Sequence, residues 1–247
     1  MAYSRTSFVR RAVVLAAGNG DRFKNHSSHS KLLARVAGTP LLIHTLNAAS
    51  SAGITDAHVV LGYDSEALKS LALSDAPSGL NLHFHVNREW HLENGLSVLT
   101  ARPWIAEPFA LMMGDHLFDP DVLRHLVRLR YEPGEALLCV DRRTSDPDVT
   151  AEATKVRLRE GRVTAIGKTL DPYDALDTGL FLCQPSVFDA LDESCRAGDS
   201  TLSGGIRRLA ARHLVRGVDI RDAPWWDVDT VADLTAARQI FARALRA

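Results

Sequence analysis

Ala12-Val13-Val14-Leu15-Ala16-Ala17-Gly18-Asn19-Gly20-Asp21-Arg22 is the stretch that decides the fold. Its first six residues are all apolar. A strand with no polar residue on either face is buried on both, as in a parallel sheet covered by helices. The run ends in Gly18-Asn19-Gly20. Glycine lets the backbone approach an anion closely and turn several N–H groups toward it. Arg22 adds a planar fork of donors suited to phosphate. A dinucleotide fingerprint would need a third glycine where Phe23 stands, and a helix opening at once. A polar stretch, residues 19–30, follows instead. The phosphate-loop pattern GxxxxGK[ST] is absent.

Downstream, strands and helices alternate. Thr39-Pro40 predicts a cap followed by proline at the first helical position. Leu41, Leu42, Leu46 and Ala49 then give an apolar face, with Gly53 past the helix end. Residues 58–62 and 82–86 read as strands, with a short helix over 66–73 between them. Residues 94–101 read as a loop entering a helix. The strand at 109–113 ends at Gly114-Asp115-His116. Asp119-Pro120 opens another helix, and 136–140 is another strand. This rhythm predicts an α/β class, a Rossmann-like, mostly parallel sheet. Residues 156–158 and 163–166 flank Glu160-Gly161 and predict a hairpin. A hairpin-rich insertion from about 150 to 183 would wall the carboxyl ends of the strands, where ligands bind in such sheets. Residues 180–183 form a further strand, and 187–191 and 205–211 are helical. Thr230-Val231-Ala232-Asp233 reads as a capping box before a last helix. No linker divides the chain, so a single domain over 1–247 is expected.

Lys31 ends the polar loop, within reach of phosphates whose charge it could neutralise. Asp115 closes an apolar strand, at the ligand edge of the sheet, and is a hard oxygen ligand for Mg²⁺. Asp227 and Asp229 offer a second carboxylate, Asp229 being the expected cap of the last helix. His116 reads as a group orienting Asp115. His26 and His29 lack a third partner at zinc spacing, and His83 and His85 alternate on a strand. Trp225 and Trp226 read as packing. Cys139, Cys183 and Cys195 form no CxxC pair and read as free thiols.

These residues carry a family resemblance. LAAGxGxR, a following lysine and an aspartate after a middle strand resemble the sugar-nucleotide-type nucleotidyltransferases. The ordered set Met113-Gly114-Asp115-His116, Glu152-Ala153-Thr154-Lys155, Ile166-Gly167-Lys168, Asp177-Thr178-Gly179 and Asp227-Val228-Asp229-Thr230 is more specific. It resembles the CTP:inositol-1-phosphate cytidylyltransferases, over residues 11–238. The resemblance implies a Rossmann-like nucleotidyltransferase fold with a nucleotide-binding half (11–140) and an acceptor-binding half (141–247). It implies Mg²⁺-dependent transfer of CMP from CTP to inositol 1-phosphate. Leu15, Ala16, Ala17, Gly18, Asn19 and Gly20 would hold the nucleotide, with Arg22 and Lys31 catalytic. Asn94, Gly95 and Ser97 would read the pyrimidine. Asp115, also beside the nucleotide, would hold the metal with Asp227, Asp229 being the other candidate. Lys155, Lys168 and Asp177 would bind the acceptor. Ser30 stands where the family usually has proline, and the loop before it is longer.

The chain has 247 residues, 46% hydrophobic and 24% charged, with a formal net charge of −1. No basic field suits a nucleic-acid backbone. No apolar run of about 18 residues crosses a membrane, and no secretory signal opens the chain. The expected compartment is the cytoplasm. The expected partners are CTP and a small phosphorylated polyol, the product passing to a separate membrane synthase; a homodimer is compatible with all of this. Phosphocholine, a glycerol phosphate or a phosphonate are alternative acceptors. A catalytically silent nucleotide-binding module is the alternative outside enzymes, against which Lys31 and the retained carboxylates weigh.

Overall fold

The apolar run becomes an interior strand of a nine-stranded sheet. The computed structural model describes residues 8–20, 23, 29–144, 150 and 153–244, without the side chains of 240–244. The chain runs β1 (Arg11–Ala16), a 3-10 turn (Lys31–Leu33), β2 (Arg35–Val36), β3 (Thr39–Pro40), α1 (Leu41–Ser51), β4 (Asp56–Leu61), α2 (Ser65–Asp75) and β5 (Asn81–Val86). It continues through α3 (Asn94–Ala101), β6 (Phe109–Met113), β7 (His116–Phe118), α4 (Pro120–Leu126) and β8 (Ala136–Asp141). Then follow β9 (Lys155–Arg159), β10 (Arg162–Gly167), β11 (Ala175–Cys183), α5 (Ser186–Arg196), α6 (Leu202–Ala211), β12 (Val215–Asp219), β13 (Trp225–Asp227) and α7 (Val231–Ala244).

The strand order is β5-β4-β1-β6-β11-β8-β12-β10-β9. The first four strands are parallel, and β11 enters antiparallel between β6 and β8. Val13 and Val14 are fully buried but belong to different hydrophobic clusters, one on each face of the sheet. That two-sided burial is why β1 is apolar throughout after Arg11 at its start. No helix among the described residues is long and apolar enough to cross a membrane.

Most predicted elements form, with instructive exceptions. Thr39-Pro40 does not cap and open α1. Ala37 and Gly38 both take positive φ, +49° and +85°, and make a two-residue turn that pairs Val36 with Thr39. Hairpin chemistry of that kind draws Pro40 into extended backbone, and α1 starts at Leu41. Gly53, at φ +86°, does end the helix as expected. Residues 94–101 are helical throughout rather than a loop entering a helix. The Asp177-Thr178-Gly179 triplet lies inside β11, which starts at Ala175, so that strand is longer than its apolar half suggests. The predicted hairpin forms as β9–β10, with Glu160 and Gly161 at positive φ. It belongs to the main sheet, through β12 and β11, and its two free ends reach the ligand edge.

The second half is pinned by a buried carboxylate. Glu135 is 1% exposed and pairs through Oε1 with Arg162 on β10 and with Arg216 on β12, the latter at 3.2 Å. Burial opposes its charge, but Arg216, the Glu132 N–H and Arg162 hold the carboxyl below its usual range. Such an acid stabilises the fold above its unfolded pKa and loses that contribution as pH falls. Glu135→Gln is expected to cost about 3 kcal/mol in urea unfolding near neutral pH, the lower end for a broken buried pair, because both arginines stay partly solvated. The gap between variant and wild type should narrow as pH falls below the ordinary glutamate range.

Candidate active site

The ends of β1, β4 and β6 make one crevice. Tyr63 donates its backbone N–H to the Ala17 carbonyl at 3.0 Å, and Gly114 donates to the Leu15 carbonyl at 2.9 Å. A Cβ on Gly62 would sit 2.6 Å from the Ala17 oxygen, so only bare backbone allows this approach. Beyond Ala17, Gly18 is exposed and Gly20 turns at φ +61°. Arg22, His26 and Glu152 lie outside the described residues.

Ser30 does structural work at the position where the resemblance would place proline. Its Oγ accepts from Leu32 N at 3.3 Å, and its own N–H donates to Asp64 Oδ2 at 3.0 Å. These contacts cap the single turn carrying Lys31 and direct that side chain inward, 7% exposed. Lys31 Nζ lies 2.7 Å from Asp115 Oδ2 and donates to Asp229 Oδ1 at 2.5 Å. Burial disfavours its charge, but Asp115, Asp229 and Asp227 outweigh that and hold the ammonium above the ordinary lysine range.

A small ribbon assembles the rest. β13 pairs antiparallel with β7, and its register sets Asp227 opposite His116. Ligand atoms of Asp115, His116 and Asp227 lie within 4.8 Å of one another. His116 Nε2 is 3.4 Å from Asp227 Oδ1, while Nδ1 meets the Thr178 carbonyl at 2.8 Å. Burial pushes the imidazole pKa down, yet Asp227, Asp115 and the Thr178 carbonyl raise it to about 10. Burial likewise opposes the charge of Asp115, and Lys31 and His116 hold its carboxyl below the usual range. Asp227 Oδ1 is buried and accepts no well-formed hydrogen bond. Two carboxylates with an unsatisfied oxygen fit a hard divalent cation whose remaining positions go to water or phosphate.

Asp229 is not the cap of α7. Thr230 Oγ1 accepts from Asp233 N at 3.1 Å, and Asp233 Oδ2 accepts from Thr230 N at 2.7 Å. This reciprocal capping box satisfies the helix start without Asp229, whose side chain meets Lys31 instead. Trp225 is buried and donates from Nε1 to Asp141 Oδ2 at 2.7 Å, but it and Trp226 also wall the cavity beside the cluster, beyond the packing role expected of them.

A cavity of about 490 Å³ opens beside the cluster. It brings together Asn94, Asp115, Lys168, Asp177, Asp227 and Asp229 of the predicted residues. Burial pushes the Asp177 pKa up to about 6, against the Gly179 N–H and His116. Leu15, Ala16, Ala17, Gly18, Asn19, Gly20 and Lys31 do not line this cavity, and neither do Gly95, Ser97 and Lys155 of the base and acceptor candidates. Gly95 packs beneath Ser200, whose carbonyl a Cβ there would meet at 2.4 Å. Ser97 is buried, and its Oγ accepts from Asn87 Nδ2 at 3.0 Å. Lys155 Nζ donates to the Lys168 carbonyl at 2.9 Å and lies over the Tyr173 ring.

His116, expected from its adjacency to Asp115 to orient that carboxylate, also meets Asp227, a pairing the sequence does not signal. Gly179 carries no sequence signal of its role beyond its place in the Asp177-Thr178-Gly179 motif. At φ +73°, a Cβ there would lie 2.4 Å from His116 Nδ1. Gly179→Ala is therefore expected to displace His116 and lower turnover by tenfold or more, with a stability loss of about 1–2 kcal/mol from the left-handed backbone. Turnover assays with thermal melts check both effects.

A glycine-rich turn at the end of a buried parallel strand, facing paired carboxylates and a lysine, equips the chain for nucleotidyl transfer. The chain belongs to the family of MobA-like NTP transferase domains, whose model matches residues 12–216. It is 37% identical over 235 residues to a bifunctional IPC transferase and DIPP synthase of Rubrobacter xylanophilus, covering 93% of this chain and 51% of that protein. It is 33% identical to a CMP-5'-(3-aminopropyl)phosphonate synthase of Streptomyces rubellomurinus, covering 90% of this chain and 37% of that one. The chain spans about half the length of the bifunctional relatives it matches. The solved structure of the inositol-1-phosphate CTP transferase from T. maritima superposes with a TM-score of 0.83 at 25% identity, covering 96% of this chain and 98% of that one.

Proposed function

We propose that this chain transfers CMP from CTP to inositol 1-phosphate, giving CDP-inositol and pyrophosphate, with Mg²⁺ as the divalent cation. The observation that carries the reading is one cavity lined by the Asp115–His116–Asp227 cluster together with Lys168 and Asp177. The likeness to proteins named as IPC transferases and as an inositol-1-phosphate CTP transferase supports CTP and inositol 1-phosphate. In this reading residues 11–140 bind the nucleotide and 141–247 the acceptor.

The acceptor phosphate has a second pKa of about 6, so at neutral pH it is already ionised and needs no general base. Its oxygen attacks the α-phosphorus of CTP in line. A new P–O bond forms as the bond to the bridging oxygen of the β-phosphate breaks, and pyrophosphate leaves with that electron pair. The obstacle is repulsion between two anions. Gly18, Asn19 and Gly20 bring backbone N–H groups to the triphosphate, and Arg22 and Lys31 neutralise charge there. Lys168 meets the acceptor phosphate, Asp177 accepts from polyol hydroxyls, and Asn94 faces the base. Asp115 and Asp227 would hold Mg²⁺, which when bound neutralises phosphate charge and aligns the reacting oxygens. The product would pass to a synthase of the kind that the relatives' name joins to this activity.

Pyrophosphate release with the four common nucleoside triphosphates, crossed with inositol 1-phosphate, phosphocholine, glycerol phosphate and aminopropylphosphonate, tests the assignment. CTP with inositol 1-phosphate is expected to be fastest. The Streptomyces relative favours a second reading, a phosphonate acceptor, and faster turnover of aminopropylphosphonate would select it. Tight CTP binding without turnover of any acceptor would select a silent module.

A further inference from the structure

Arg207 does not line the cavity, yet it grips β10 where Lys168 leaves it. Its Nη1 donates to the Ile166 carbonyl at 2.9 Å, and its Nη2 pairs with Asp199 Oδ2. Gly167 lies between, and a Cβ there would sit 3.7 Å from Nη1. The next carbonyl anchor is Lys155, holding Lys168 itself. Two cationic side chains thus bracket the backbone of one cavity-lining lysine.

The same contacts lead to Leu202 and Asn94, which also line the cavity. Asp199 Oδ1 accepts from Thr201 N at 3.1 Å and from Thr201 Oγ1 at 2.6 Å. Thr201 in turn caps α6, its Oγ1 accepting from Gly204 N at 2.9 Å. Leu202 N donates to Asn94 Oδ1 at 2.9 Å. Two glycines let these segments close up. A Cβ on Gly95 would meet the Ser200 carbonyl at 2.4 Å, and one on Gly204 the Asp199 carboxylate at 2.7 Å. One continuous path of contacts runs from Asn94 through Leu202, Thr201, Asp199 and Arg207 to Ile166.

The chemistry calls for arginine. A planar guanidinium serves a carbonyl and a carboxylate at once, whereas an ammonium is a compact point charge on a flexible stem. The Arg207 side chain is 44% exposed, so its ion pair contributes little to global stability. Its consequence is local geometry.

We propose that Arg207, with Asp199, is a positioning residue: it fixes the end of β10 so that Lys168 meets the acceptor phosphate, and ties that end to Asn94 on the nucleotide side. This rests on the acceptor role proposed above for Lys168. Arg208 is the control, since it neighbours Arg207 on the exposed face and makes no hydrogen bond or ion pair among the described residues.

Steady-state kinetics of Arg207→Met, Arg207→Lys, Arg208→Met and Arg207→Met combined with Lys168→Ala form the test. Arg207→Met should raise the KM for inositol 1-phosphate about tenfold, with kcat and the KM for CTP within about twofold and the melting temperature unmoved. Arg207→Lys should recover part of the loss, and Arg208→Met should match wild type. In the Lys168→Ala background Arg207→Met should add nothing, as expected of residues acting through one another. An unchanged acceptor KM, an equal fall in every parameter, or effects that multiply with Lys168→Ala would overturn the proposal. Backbone hydrogen exchange of residues 166–170, measured without substrate, should speed up in Arg207→Met. Unchanged exchange there overturns the positioning role whatever the acceptor proves to be. Failure of the wild type on every acceptor would instead sink the functional reading and leave exchange to decide the positioning.

Discussion

Asp115→Ala should lose about three orders of magnitude in turnover while folding normally, because it removes a carboxylate from the proposed cation site and a partner from Lys31 together. Asp115 sits at the end of β6, where Gly114 lets the chain approach β1, and its side chain remains 26% exposed. Its loss therefore opens no cavity in the core. Circular dichroism and melting should stay close to wild type, while turnover collapses at every Mg²⁺ concentration. Full activity in the variant would remove Asp115 from the metal assignment. Asp227→Ala should behave similarly. The reason is the register of β7 with β13, which sets Asp227 beside the same point.

Lys31→Met should lower kcat by about two orders of magnitude, with a much smaller change in the KM for the acceptor. Methionine keeps most of the buried stem and deletes the charge. The charge lies between Asp115 and Asp229, so the variant leaves two carboxylates facing each other without their cation. A second readout follows. The variant should melt earlier than wild type in chelator, and added divalent cation should restore more stability to it than to wild type. An effect confined to the acceptor KM would move Lys31 out of the phosphate site.

Much of this arrangement was legible in the sequence, for identifiable reasons. β1 could be read because both of its faces are buried, which leaves an unbroken apolar run. Asp119 and Thr230 could be read because caps are local, and both side chains accept the bonds expected of them. Asp229 was misread as a cap because Thr230, beside it, offers the same chemistry, and only the long-range pairing with Lys31 separates the two. β12, Val215–Asp219, was missed because only Val215 is buried and Arg216 serves Glu135 just before the neighbouring strand, β8. His116 became a site residue through a two-stranded ribbon whose partner lies more than a hundred residues away. The bridge through Arg207 was invisible for the same reason: none of its links is a sequence neighbour of Lys168 except the carbonyl it grips.

The most direct test of nucleotidyl transfer is the fate of the phosphates of CTP. With α-labelled CTP, inositol 1-phosphate and Mg²⁺, the label should appear in CDP-inositol, and γ-labelled CTP should deliver its label to pyrophosphate. Release of γ-label as inorganic phosphate, or α-label that never reaches the acceptor, would contradict the account.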